Sequence, residues 1–539
     1  MRPWWEDAVF YQIYPRSFAD SNGDGIGDLA GITGKLDYLS DLGVDALWIS
    51  PFFKSPMKDF GYDVSDYRDV DPMFGTLGDL RNLVDAAKAR KIRMVLDLVA
   101  NHSSDEHPWF VEARASKNSP KHGWYLWVPE TGRPPNNWKA IFELGTAWHK
   151  NPATNERYLG TFTKHQPEFD WRNRELRRAF YDIMRYWYDF GIDGFRLDVA
   201  TAYFKDEKLR SNPFSFKANP DFFQKHIYDR NQEEVHEVFK EMRAVADEAG
   251  VAGSGERVLI GETHGQDPEL AASCHGESGD ELSMAFNFQF LYRKWSAAEF
   301  RASAECWYSL LPESAWPNFT LSNHDQPRAI WRYRGRGPRA AAVTEGRARV
   351  AAAMLLTLRG TPFVYYGEEI GMSCEHIPRA ALRDPLGIST WPLRSMGRDP
   401  ERTPMQWDAS PGAGFGQAEP WLPVNKDYTL RNVAAQEADS ASLLSWYKAL
   451  IALRRSRREL REGGIAFLDL APDILAYERT GRAGMGVLVL LNFSNHRRRF
   501  EFAKGVRILL GSTREAGAEI PTGKIELGPN EVVIAELIK

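Results

Sequence analysis

Carboxylates, imidazoles and one guanidinium recur in this chain where short apolar runs end. Asp97 is followed by Asn101 and His102, Arg196 by Asp198, Gly261 by Glu262 and His264, and Ser322 by His324 and Asp325. Two carboxylates flanking one bond are what glycoside cleavage needs: one acts as an un-ionised acid, the other as a nucleophile about 5–5.5 Å away when configuration is retained. Asp198 fits the nucleophile, because Arg196 stands two residues earlier on the same strand face and a neighbouring positive charge lowers a carboxyl pKa. Glu262, in a partly apolar setting, would keep its proton near neutral pH and protonate the leaving oxygen. Asp325 would be the third carboxylate, gripping sugar hydroxyls most tightly in the oxocarbenium-like state, with His102 and His324 donating hydrogen bonds nearby. A single Asp at a strand end is more often a cap or turn residue than a catalyst, and Asp97 reads as structural. Matching groups at four separate strand ends outweigh that reading for the others.

Such groups need a scaffold that carries strand ends to one mouth. Eight apolar runs are candidate strands: Val9 to Ile13, Ala46 to Ile49, Met94 to Val99, Gly194 to Val199, Val258 to Thr263, Met284 to Gln289, Asn318 to Ser322 and Pro362 to Tyr366. Between them lie stretches with helical spacing, which argues for βα units and a parallel sheet. Arg172 to Phe190 places Leu176, Phe180, Ile183, Met184 and Trp187 on one face at steps of three and four, and Leu77 to Arg90 and Thr344 to Leu358 are similar. The expectation is an α/β fold, a (β/α)8 TIM barrel, whose reactive groups sit at the C-terminal ends of its strands. Ser103 to Trp171, rich in Trp, Pro, Asn and Gly, is too long for a βα loop and predicts an irregular subdomain inserted after strand three. After Gly464 the pattern turns to alternating runs, Ile474 to Arg479, Gly486 to Asn492 and Glu531 to Leu537, which predict a C-terminal antiparallel β-sandwich. The expected division is a barrel over residues 1–102 and 172–463, the insert over 103–171 and the β domain over 464–539.

Composition narrows the function classes. A chain of 539 residues that is 43% hydrophobic and 26% charged can bury a large core, which excludes disorder as its main state. Its net charge of -5, with Lys and Arg spread along the chain, leaves no footprint for nucleic acid. Cys274, Cys306 and Cys374 lie far apart, which excludes a disulfide framework and a thiolate zinc site, and the simplest compartment is a reducing one. Glu6 and Asp7 fall where a secretory signal would be apolar, and no run of 18 apolar residues exists, so a cytoplasmic location without a membrane span is expected. Aromatic residues reach 13%, and flat rings are what sugar faces stack against. The segment from Asp20 to Asp28 alternates oxygen-bearing residues with glycines, as calcium loops do, but its twelfth position is Gly31 where an EF-hand wants a bidentate Glu.

The strings DLVANH, GFRLDVA, GETH and SNHD, in that order on strands three, four, five and seven, resemble the four signature regions of the α-amylase family of glycoside hydrolases (family 13). The starts VFYQIYPRSFADSNGDGIGDLAGI and GYDVSDY, QPEFDW at Gln166 and GRDPERTPMQW at Gly397 resemble its α-glucosidase and oligo-1,6-glucosidase branch. The resemblance implies a retaining double displacement with Asp198 as nucleophile, Glu262 as acid/base and Asp325 as transition-state stabiliser. It assigns Asp63, His102, Arg196, His324 and Arg398 to the glucose before the scissile bond, with Tyr62 stacking on its ring and Phe162 and Gln166 close by. Asp63 and Arg398 would close off the non-reducing end and impose exo action on a small α-glucoside. It also implies one structural Ca2+ or Mg2+ held by Asp20, Asn22, Asp24, the carbonyl of Ile26 and Asp28, and no organic cofactor. Val199, after the nucleophile, resembles enzymes favouring α-1,6 linkages, while GRDPERTPMQW resembles α-1,4 enzymes, so the linkage stays open. Glucosyl transfer, or isomerisation of a sucrose or trehalose type, differs only in what attacks the covalent intermediate. A non-catalytic relative of the barrel would lack the carboxylates and carry a membrane anchor, and this chain has all three carboxylates and no such anchor.

Overall fold

The structure, a computed structural model, describes residues 2–216, 223–249, 256–263, 267–392, 397–481 and 486–538. Eight short strands form one parallel sheet: Phe10–Ile13, Ala46–Ile49, Arg93–Leu98, Gly194–Leu197, Val258–Gly261, Met284–Ala285, Asn318–Thr320 and Thr361–Tyr365. We number them barrel strands 1 to 8. Hydrogen-bonded neighbours run 6-5-4-3-2-1-8-7, and every pairing is parallel. Strands 6 and 7 close the ring through a side chain, Asn318 Nδ2 donating to the carbonyl of Ala285 at 2.8 Å. Seven of the eight strands are buried at every position, and only the first residue of strand 3 is half-buried, so both faces are covered and the runs are continuously apolar rather than alternating. The barrel interior is filled by Phe10, Trp48, Val95, Ile260, Phe286 and Phe363.

The helix expected from Arg172 is Arg174–Phe190, and it buries the five residues named for its inner face. It starts where the Asn173 side chain accepts from the N–H groups of Glu175 and Leu176, and stops at Gly191, whose φ of 102° L-residues avoid. Leu77–Ala89 begins in a capping box between Thr76 and Asp79. The third helix is Ala340–Thr357, four residues longer at its start than expected. Strand 6 is shorter than its apolar run, because Asn287 caps a helical turn, Phe288–Leu291, that takes over the rest.

The inserted segment holds a helix, Pro108–Ala115, and a three-stranded antiparallel sheet ordered Trp127–Pro129, Glu156–Leu159, Trp148–Asn151. The C-terminal part forms a six-stranded antiparallel sheet, with the pair Arg498–Phe502 and Gly523–Leu527 packed over a shared core of Leu488, Leu490, Phe500, Ile508 and Ile525. It is fastened to the barrel by buried Arg479, which donates to the carbonyls of Thr357, Leu460, Gly463 and Gly464. Among the described residues no helix is long and apolar enough to cross a membrane, and the three cysteines are free thiols.

Candidate active site

Strand register places the first two groups. Asp97 on strand 3 lies directly opposite Arg196 on strand 4, and Gly261 on strand 5 opposite Leu197, so Asp198 and Glu262 leave adjacent strands side by side. Arg196, buried to 1% exposure, is the hub. Its Nη1 lies 2.8 Å from Asp97 Oδ1 and 2.7 Å from Asp198 Oδ1, and its Nη2 lies 2.6 Å from Glu262 Oε2. The guanidinium sits 5.1 Å from the centre of the Trp48 ring, whose Nε1 donates to Asp97 Oδ2 at 3.2 Å. The barrel core thus forms the floor of the site, and Asp97 is spent on holding Arg196.

One cation among three buried carboxylates leaves excess negative charge, and such a set titrates jointly. Burial pushes Asp97 up to about 6, with Arg196 pulling the other way. Burial likewise raises Asp198 well above the ordinary carboxylate range; Arg196 opposes it, and the charges of Glu262, Asp97 and Asp325 add to it. The expectation that Arg196 holds Asp198 low is therefore not met, because the guanidinium is divided three ways. The set retains a proton to higher pH than an isolated carboxylate would.

Glu262 Oε2 also accepts the Val199 N–H at 3.0 Å. With two donors on Oε2, the second oxygen is the one left for a proton. Val199 achieves this contact in the left-handed region, φ 37° and ψ 46°, where a β-branched residue is strained. It is buried beside the nucleophile.

On the sugar side, Tyr62 stacks parallel to His324 with ring centres 5.4 Å apart, and its hydroxyl contacts His324 Nε2. Gln12 Nε2 lies 2.8 Å from His324 Nδ1, which fixes the other nitrogen as the protonated one. Burial lowers His324 to about 3 and His102 to about 4, so both imidazoles are neutral at neutral pH. His102 contacts the Tyr62 carbonyl at 3.0 Å and the Gln166 amide at 3.1 Å, and Phe162 lies 5.1 Å away.

Asp63 is not brought to this site. It is fully buried, and its carboxylate closes its own loop by accepting from Ser55 Oγ at 3.0 Å, Lys58 N at 2.9 Å and Asp59 N at 2.9 Å. The carboxylate at the site is Asp59, which takes Arg398 Nη2 at 2.8 Å on one oxygen and Gln166 Nε2 at 3.1 Å on the other. The two aspartates flank Gly61 and Tyr62, and the turn at Gly61, φ 104°, sends them apart. The string GYDVSDY, which begins at Gly61, contains Asp63 but not Asp59.

Arg398 is held by Asp384, at 3.0 Å from Nε and 2.7 Å from Nη2, and reaches Asp325 at 3.4 Å. Asp325 is half-buried and also takes Arg402 Nη2 at 2.7 Å. Burial works against its charge, but His324, Arg398, Arg402 and Arg196 outweigh it and hold the carboxyl below its usual range. With His324 neutral, the arginines do this at neutral pH. Asp59, Asp384 and Arg402 were missed in the sequence; Arg402 lies within the GRDPERTPMQW string, whereas nothing local marks Asp384. His264 lies outside the described residues.

The loop at Asp20 offers only oxygen donors, which suits a hard cation, but its carboxylates are engaged locally. Asp20 accepts from Gly23 N and Gly25 N, Asn22 from Asp24 N, and Asp24 from Ile26 N. Asp28 takes Ser21 and caps a helix through Gly31 N. Among the described residues no group of three or more His, Cys, Asp or Glu side chains is gathered as a metal site.

The model of the family described as "Alpha amylase, catalytic domain" matches residues 12–463. The chain is 41% identical over 509 residues to a probable alpha-glucosidase of Rhizobium meliloti (strain 1021), covering 92% of this chain and 90% of that protein. It is 40% identical over 531 residues to an oligo-1,6-glucosidase of Parageobacillus thermoglucosidasius, covering 92% and 91%. Its structure is similar to that of the alpha-glucosyl transfer enzyme XgtA, with a TM-score of 0.92 at 38% identity over 100% of both chains.

Proposed function

The chain belongs to the alpha-amylase family, and from that premise we propose how it works as a glycoside hydrolase of the α-glucosidase kind, removing terminal α-linked glucose from short α-glucosides. The observation that carries the mechanism is Arg196 holding Asp198 and Glu262 on its two terminal nitrogens at 2.7 and 2.6 Å. Oxygens fixed on one planar guanidinium stand close together, on the scale of about 5 Å that suits a covalent double displacement rather than the wider gap that admits a water.

Asp198 attacks the anomeric carbon through the oxygen that Arg196 leaves free. Glu262 passes its proton to the leaving oxygen as the glycosidic bond breaks, giving a glucosyl ester on Asp198. Glu262, now ionised, takes a proton from an incoming water, whose oxygen forms the new bond as the ester breaks and Asp198 is regenerated. Asp325, kept ionised by Arg398 and Arg402, stabilises the positive charge that develops on the ring. The Asp59–Arg398–Asp384 cluster supports exo action: three charged groups clamped to one another beside Asp325 would bar a further sugar on that side. Retention, a structural Ca2+ or Mg2+ in the loop at Asp20, and a cytoplasmic location belong to the same proposal. The loop's all-oxygen donor set supports the second, and three unpaired thiols the third.

Incubation with maltose, isomaltose, sucrose and trehalose, with products resolved by chromatography, tests the reading. Free glucose from at least one disaccharide is expected, and no turnover of any would refute it. A second reading, glucosyl transfer to a sugar hydroxyl, is favoured by the likeness to XgtA; it predicts new oligosaccharides, with only the one leaving-group glucose freed per maltose or isomaltose cleaved where hydrolysis frees two.

A further inference from the structure

Gln12 lies on barrel strand 1, in register with Trp48 on strand 2 and Tyr365 on strand 8, and is buried to 1% exposure. Its amide nitrogen has two acceptors: Ser50 Oγ at 3.1 Å, just past strand 2, and His324 Nδ1 at 2.8 Å. Nε2, the opposite nitrogen of that imidazole, meets the Tyr62 hydroxyl and lies 3.3 Å from Asp325 Oδ2. Burial keeps His324 neutral, so the ring has a single hydrogen to place. Asp325, held ionised, can only accept, which agrees with the amide donating to Nδ1 and the hydrogen standing on Nε2. Turned over, the amide would offer its oxygen to Nδ1 and leave the Nε2 lone pair against an anion. The order passes on: the Tyr62 hydroxyl donates to Asp97 Oδ2 at 3.4 Å, and Asp97 holds Arg196 at 2.8 Å.

We propose that Gln12 is a positioning residue for the reaction: its amide assigns the one ring hydrogen of His324 to Nε2 and so keeps that nitrogen a donor on the sugar side of the site. The inference rests on the glucosidase reading above and adds what sets the tautomer of a residue in its site. His324 is also faced by Arg402, whose Nε donates to its carbonyl at 2.7 Å, by Arg196 and Arg398, and by the Tyr14 ring 6.1 Å away. Asp325 favours a second proton on the ring, but burial and these arginines outweigh it. Where the single hydrogen stands is then decided by the hydrogen bond at Nδ1.

Gln12→Glu and Gln12→Met separate positioning from packing. In Gln12→Glu at low pH the introduced carboxyl and the imidazole share one extra proton, and whichever holds it, Nε2 keeps its hydrogen. Once that proton leaves, the carboxylate draws the ring hydrogen to Nδ1. Relative to wild type at the same pH, kcat/KM of Gln12→Glu on p-nitrophenyl α-glucoside is expected to fall about ten-fold or more between pH 5 and pH 8. In Gln12→Met it is expected to be about three-fold or more below wild type with no trend in pH, as for a lost hydrogen bond. A ratio flat with pH in Gln12→Glu, or wild-type kcat/KM in Gln12→Met, would overturn the role. If Gln12→Glu fails to fold, NMR of the wild type labelled with 15N-histidine decides: the ring signals that vanish in His324→Asn should show a hydrogen on Nε2 and a bare Nδ1, and the reverse tautomer would overturn the role. A wild type that releases glucose from neither the aryl glucoside nor any of the four disaccharides would instead sink the glucosidase reading itself.

Discussion

Exchanging the two aspartates that flank Tyr62 separates a binding role from a structural one. In Asp59→Asn the site loses an anionic acceptor, but Arg398 keeps both bonds to Asp384, at 3.0 and 2.7 Å, and is not orphaned. A hydrogen bond from a sugar hydroxyl to a charged partner contributes about 1.5–3 kcal/mol, so kcat/KM on maltose or isomaltose should fall about 10- to 150-fold with little change in the unfolding midpoint. In Asp63→Asn the reverse is expected. An amide NH2 there faces the donors of Ser55, Lys58 or Asp59, and each group left unsatisfied costs about 1–3 kcal/mol. Part of that loss is returned at neutral pH, because burial already pushes the Asp63 carboxyl up to about 6, which disfavours the ionised form by about 3 kcal/mol at most. A folded pKa raised above the unfolded value gives stability that is full below the unfolded pKa of 3.8 and lost as pH rises through about 6. Asp63→Asn should therefore destabilise more at pH 5 than at pH 8. Steady-state kinetics and urea unfolding at both pH values check this. An Asp63→Asn variant with full stability and a deep loss of kcat/KM, beside a near-normal Asp59→Asn, would refute the placement of both residues.

Asp198→Asn should keep the fold while lowering kcat at least about a thousand-fold, and a variant above that floor would remove Asp198 as nucleophile. His102 and His324 titrate near 4 and 3 when folded and near 6.5 when unfolded, so the unfolded chain binds more protons and stability falls as pH drops from 6.5 towards 4. Each contributes a loss of up to about 2 kcal/mol by pH 5; His102→Asn should lose less between pH 7 and 5 than the wild type in urea unfolding, and an equal loss would contradict the neutral assignment. If the loop at Asp20 takes a divalent cation, EDTA should lower the thermal midpoint, since a cation at about a hundred times its Kd stabilises by about 2.7 kcal/mol. An unchanged midpoint would mean that the loop's own hydrogen bonds suffice.

Barrel strands are legible because each is a short apolar run between turn residues, and each of the eight runs overlaps a strand, two of which, Arg93–Leu98 and Thr361–Tyr365, begin one residue before the run. The chemistry at their ends is legible because period-2 geometry puts Arg196 and Asp198 on one face and parallel register then fixes Asp97 and Glu262 beside them. Loop conformation is not written in that way. Asp59 and Asp63 are interchangeable in the sequence, and only the positions of Ser55, Lys58 and Gly61 decide which one turns to Arg398. Asp384 meets Arg398 through folding of the segment after strand 8, with no periodic signal. The ionisation of Asp198 is not legible, because a two-residue spacing to Arg196 says nothing of the other carboxylates that share the guanidinium. In the insert, Trp127–Pro129, Trp148–Asn151 and Glu156–Leu159 are strands of three and four residues, too short for alternation to show.

The central claim, double displacement through Asp198 and Glu262 with release of terminal glucose, is tested most directly by following fresh hydrolysis of p-nitrophenyl α-glucoside, which frees a single glucose, by proton NMR. The account predicts that α-glucose appears first and converts to the β anomer only at the mutarotation rate. β-Glucose as the first product would contradict it.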